Sequence, residues 1–181
     1  MNSTSIRTAL AVPAAAIAVL GLGAAANAAG AGEPPHHASE RLVVRGDSTV
    51  VDGPCAGGVC TLQLTDGSFR GTPIGTGAYA GAVKLEVAKA FPNGEGGVCA
   101  PIRGKVRLGT GSPDRLVVAV AGNSCQDGAG PVTASSFTGL ARFKVKHGTG
   151  SYAGASGAGL ASFSEDAADH DRMTLIGRIS R

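Results

Sequence analysis

Three groups of residues have the types and spacing to do chemistry. Two runs of alternating cations, Arg103, Lys105, Arg107 and Arg142, Lys144, Lys146, could meet an anionic polymer such as a cell-wall phosphate chain if their strands lie near one another. The alternative is a solvated outer face that keeps the protein soluble. An acidic stretch near the C-terminus carries Glu165, Asp166, Asp169, His170 and Asp171. Clustered carboxylates suit calcium, but this spacing matches no EF-hand loop. It reads as an exposed acidic turn, and no metal is assigned. His147 and His170 have the chemistry of a general base near neutral pH, yet nothing in the sequence sets a nucleophile beside either. There is no H-E-x-x-H, no G-x-S-x-G and no Walker loop. Hence no catalytic residue and no cofactor is assigned.

The third group is the cysteines, Cys55, Cys60, Cys99 and Cys125. Their context is an N-terminus that reads as an export signal over residues 1–28. Arg7 is the sole charge before Glu33, an apolar run follows, and Ala26-Asn27-Ala28 fits a small-x-small cleavage site. In an exported chain four cysteines imply two disulfides, with three pairings formally open. Cys55 and Cys60 bracket a loop short enough to be a stapled hairpin, which leaves Cys99 to Cys125. No histidine stands at finger-like spacing from a cysteine. A flexible leader is expected over 29–40, where His36 and His37 lie in a solvated tail, and a single domain over 41–181. Cleavage leaves 15 Lys and Arg against 13 acids, too even a balance for a nucleic-acid binder. No membrane span is expected in the mature chain.

These residues need a scaffold, and the chain supplies short β-like runs between Gly, Pro and Asp turns, with no convincing amphipathic helix. Eight strands are expected, at about 41–45, 59–65, 82–91, 98–108, 115–122, 137–146, 157–164 and 172–180. In 102–108, Ile102, Val106 and Leu108 share one face and the three cations share the other. In 137–146, Ala141, Phe143 and Val145 oppose Arg142, Lys144 and Lys146. One wet face and one buried face fit an antiparallel barrel, or as the alternative a β-sandwich. A barrel also hides the strand edges.

An eight-residue phrase occurs twice: GTGAYAGA at Gly75–Ala82 and GTGSYAGA at Gly148–Ala155. Each copy stands between two strand-like runs, so each reads as the same sharp corner, implying internal duplication. Tyr79 and Tyr152 are expected to plug the ends of the core, or to sit at the mouth of a ligand cavity. A glycine-rich turn of this kind between strands resembles that of the allene oxide cyclase and dirigent-like barrels. The resemblance implies a small eight-stranded antiparallel barrel around a largely apolar cavity, in a family that acts on or steers hydrophobic small molecules. The resulting expectation is a secreted, disulfide-bonded, non-catalytic barrel that binds a small apolar ligand or a cell-surface partner. The rival is a barrel-cavity isomerase or cyclase of the allene oxide cyclase type.

Overall fold

The computed structural model describes residues 38–126 and 136–181. The expected signal peptide and nearly all of the leader lie outside these residues. Nine strands follow in order: β1 (Ser39–Ala56), β2 (Val59–Thr72), β3 (Gly75–Leu85), β4 (Phe91–Pro92), β5 (Val98–Leu108), β6 (Arg115–Gln126), β7 (Phe137–Thr149), β8 (Ser156–Glu165) and β9 (His170–Ser180). Every pairing is antiparallel. β1 pairs with both β2 and β9, and β3 pairs with β5, so eight long strands close on themselves. The two-residue β4 adds to the edge of β5. The result is the expected eight-stranded antiparallel barrel, with one small extra strand that was not expected.

The strand expected at 98–108 is found as such. β1 and β2 run longer than the sequence suggests, and the strand expected at 82–91 starts at Gly75 and ends at Leu85, before a 3-10 turn at Val87–Lys89. Three apparent turns are not turns. Gly46-Asp47-Ser48 continues β1, with Gly46 and Ser48 in phase with inward-facing Leu42, Val44 and Val50. Asp66-Gly67 is a bulge inside β2: the register slips between Leu64 and Gly67, and Asp66 has φ 53°. This moves the inward phase from Leu64 to Gly67 and Phe69. The first glycine–tyrosine phrase is itself strand, forming most of β3. Only Gly75, at φ 79°, belongs to the bend that joins β2 to β3. β1 also starts two residues before the expected boundary, with Ser39 opposite Ser180.

The two phrases therefore do not fold alike. The second ends β7, passes through a 3-10 turn at Gly150–Tyr152 and reaches β8. Gly150 has φ 58° there, a conformation that L side chains adopt rarely. What the phrases share is a docking partner, the loop between β5 and β6. Ala78 O accepts from Gly109 N and Thr110 N at 2.9 and 3.0 Å. Ser151 N donates to Asp114 Oδ1 at 2.7 Å, and Thr149 Oγ1 to Pro113 O at 2.6 Å.

Both disulfides join residues directly opposite each other on adjacent strands, Cys55 to Cys60 and Cys99 to Cys125. The core fills one half of the barrel with Leu42, Val44, Val106, Leu108, Leu116, Val118, Leu175 and Met173, none more than 1% exposed. Rings are seated on glycines: a Cβ on Gly67 or on Gly46 would lie 2.7 Å from the Tyr79 ring. Tyr152 closes the packed end, donating to Pro73 O at 3.3 Å beneath the Arg181 guanidinium, 5.2 Å from the ring centre.

Two substitutions test this packing by urea unfolding. Gly67→Ala should cost on the order of 1–3 kcal/mol, because the added carbon overpacks the seat of Tyr79. Tyr79→Phe should be neutral or stabilising by about 1 kcal/mol, because the buried Tyr79 hydroxyl has no hydrogen-bond partner to lose.

Candidate functional site: an apolar cavity with an acidic mouth

At the other end of the barrel the side chains fail to meet, leaving a cavity of about 400 Å³. All eight long strands contribute to it. Its walls come from alternating inward positions: Val50 on β1, Leu62 and Leu64 on β2, Val83 and Leu85 on β3, and Ile102 on β5. Phe137 and Phe163 add rings, while Gly139 on β7 and Ser124 on β6 add little bulk. A volume of this size and composition is in the range of small-molecule sites.

The polar groups around it are nearly all acids. Asp52, Glu165 and Asp171 come from strands, and Asp166 and Asp169 from the β8–β9 turn. The turn is organised by Asp166, whose Oδ1 accepts from Ala168 N at 2.9 Å and His170 N at 3.2 Å. These backbone donors hold the Asp166 carboxyl below its ordinary range. Asp169, at φ 60°, completes the reversal.

Glu165 and Asp171 face each other across the β8–β9 pair. Asp171 is 3% exposed, and its hydrogen-bond partner is Ser48 Oγ at 3.5 Å. Burial, reinforced by Glu165 and Asp47, pushes Asp171 up to about 7. Burial also raises Glu165, with Asp169, Asp52 and Asp166 adding to the effect. Beneath them, burial pushes the Tyr79 hydroxyl up to about 12. Ser48 opposes part of that rise, although the two hydroxyls lack hydrogen-bonding geometry.

Two of the acids are placed differently from the expectation. Glu165 and Asp171 are not part of a solvated turn; they point into the barrel. Their phase gives this away, because Asp171, Met173 and Leu175 alternate as one inward series. Tyr79 and Tyr152 are core residues, 1% and 4% exposed, and neither is among the residues lining the cavity. Among the described residues no cluster of three or more His, Cys, Asp or Glu is arranged to hold a metal ion.

The two cationic runs do come together. β6 lies between them, with Ala121 and Ala119 opposite Arg103 and Lys105 on one side and Arg142 and Lys144 on the other. The rows are about 10 Å apart, two interstrand spacings, over a floor of small residues. Arg107 extends the first row opposite Val117. In the second, a bulge displaces Lys146, and His147 takes the place opposite Val117. Arg103 pairs with Glu86 at 2.8 Å, while Lys105, Arg107, Arg142 and Lys144 have no ion-pair partner among the described residues. Glu86 is held low chiefly by its hydrogen bond with Lys89, with Arg103 helping.

In comparisons with known proteins, the chain matches no family model, no curated protein and no solved structure.

The buried carboxyl makes stability depend on pH. Folded Asp171 keeps its proton up to about pH 7, whereas an exposed aspartate loses it near 3.8. The folded chain therefore binds more protons between these limits, and stability present below about pH 4 is lost as pH rises through 7. Asp171→Asn should abolish this slope. Urea titrations should show the variant more stable than the parent above pH 7, on the order of 2–4 kcal/mol at about 1.4 kcal/mol per tenfold change in proton affinity. Below pH 4 the two should coincide.

Proposed function

We propose that this chain is an exported, non-catalytic binding protein that holds a small apolar molecule in the open end of its barrel. The observation that carries the reading is the cavity itself: apolar walls from six strands, enclosed by a closed sheet, in a barrel whose other half is packed solid. A closed sheet has no open edge, so its lining presents chiefly side chains to a ligand. Export is part of the proposal, supported by the apolar N-terminal segment and by two disulfides of the kind that persist in oxidising compartments. The kinship with allene oxide cyclase and dirigent-like barrels is also a proposal, resting on the glycine–tyrosine phrases and the strand count.

A second reading is favoured by the register of β5, β6 and β7. It sets unpaired cations in two parallel rows on the outer wall, a surface complementary to an anionic polymer. The two readings concern different faces and are compatible.

A neutral fluorophore, N-phenyl-1-naphthylamine, should enter the cavity of the oxidised protein with saturable, one-to-one enhancement of emission. Gly139→Leu should weaken that uptake at least about tenfold with the melting temperature unchanged. A Cβ at this position meets its neighbours at ordinary contact distances of 3.4–3.6 Å, so the added side chain can occupy the cavity without forcing the backbone. Equal uptake by the variant would place the fluorophore elsewhere. On a sulfated or polyphosphate matrix, retention should fall steeply between about 50 and 500 mM salt, and Lys105→Glu with Lys144→Glu should abolish it; salt-independent retention would sink the second reading.

A further inference from the structure

We propose that the cavity is selective for an amphipathic amine, a molecule whose apolar body fills the barrel end and whose ammonium group meets Asp171 and Glu165. This rests on the reading of the cavity as a ligand site and specifies what that ligand must carry.

The first argument is the sign of the lining. Among the described residues five carboxylates, Asp52, Glu165, Asp166, Asp169 and Asp171, border the cavity, and no lysine, arginine or histidine does. The cations of the same region face away. His170 lies 3.6 Å from Asp166 and Arg172 3.9 Å from Asp47, with side chains 68% and 79% exposed. The second argument is the state of Asp171 itself. It is buried at the cavity wall with one long contact to a serine hydroxyl and no ion-pair partner among the described residues. Buried carboxylates in folded proteins are normally paired, because removing the charge from water is otherwise costly. Glu165 stands directly opposite on the neighbouring strand with no partner among the described residues. Two carboxyls side by side with a missing counter-charge match the donors of one ammonium group. The third argument is the apolar wall, which begins immediately beneath them at Val50, Leu64 and Phe163. A free metal ion or a hydrophilic amine would leave that wall unused.

Ligand charge and protonation are then coupled. Glu165 on β8, Ser48 and Asp47 on β1 and Tyr79 on β3 act on Asp171. Asp52, Asp166 and Asp169 act on Glu165 beside it, and the exposed His170 and Arg172 share an outer cleft with Asp171. Burial first, then the charges of Glu165 and Asp47, hold Asp171 protonated below about pH 7. An ammonium ion favours the carboxylate, and its binding at pH 6 must expel that proton.

Isothermal titration of the oxidised protein with n-octylamine, 1-octanol and octanoate separates the elements of the proposal. At pH 8 the amine should bind at least about tenfold tighter than the alcohol, as charge-assisted hydrogen bonds imply, and octanoate should bind weakest. At pH 6 the preference for the amine should shrink. Titrations in buffers of different ionisation heat should then show proton release that is absent at pH 8. Asp171→Asn, and independently the half-buried Glu165→Gln, should reduce amine affinity toward that of octanol while leaving octanol binding in place. Octanol binding as well as octylamine would overturn the amine selectivity and leave the cavity reading standing. Binding of none of the three would overturn both. Unchanged amine affinity in a folded Glu165→Gln variant together with absent proton release would place the amine on the outer acidic surface and also refute the proposal.

Discussion

The fold depends on one steric constraint: rings can enter a small barrel only where a neighbouring strand has no side chain. Tyr79 lies against Gly46 and Gly67, and Phe143 against Gly159 and Gly177. These glycines are inward positions on strands adjacent to the ring or one further along, so each large residue is matched by a void of backbone. Small barrels commonly alternate large and small interior residues for this reason. The constraint explains why so glycine-rich a chain holds a definite sheet. It also fixes register, since a slip of one residue would set Cβ atoms against a ring.

The same constraint decided what could be read from sequence. The eight-stranded antiparallel barrel was legible, because Arg103-Gly104-Lys105-Val106-Arg107-Leu108 and Arg142-Phe143-Lys144-Val145 alternate cleanly and the structure keeps those faces. Strand lengths were not. Gly46-Asp47-Ser48 and Asp66-Gly67 carry the composition of turns, and local chemistry alone assigns them so. In the barrel the glycines are seats for Tyr79, and Asp66 absorbs a bulge. Tertiary contact overrides local preference at both places. The repeated phrase misled for a related reason: its glycines meet different neighbours, a ring and strands in one copy, the Pro113-Asp114 loop in the other.

The site was partly legible. The basic runs were visible as alternation, and antiparallel order places them across β6. The cavity was not visible, since it is a failure of packing assembled from eight strands. Its acids were misread because Asp and Glu beside a turn are usually solvated. The clue lay in phase: Asp171 keeps step with Met173 and Leu175, and Ser48 with Val44 and Val50. A polar residue in the inward phase of a barrel strand indicates a place where the interior is not filled by hydrocarbon.

The placement of charge around the cylinder has a directional consequence. The carboxylates gather on β1, β8 and β9 at one open end, whereas the cations line the side wall formed by β5, β6 and β7. A protein lying on a negatively charged surface through that wall would have its long axis parallel to the surface, with the opening turned sideways into the surrounding fluid. Attachment and exchange of cargo would then proceed without obstructing one another.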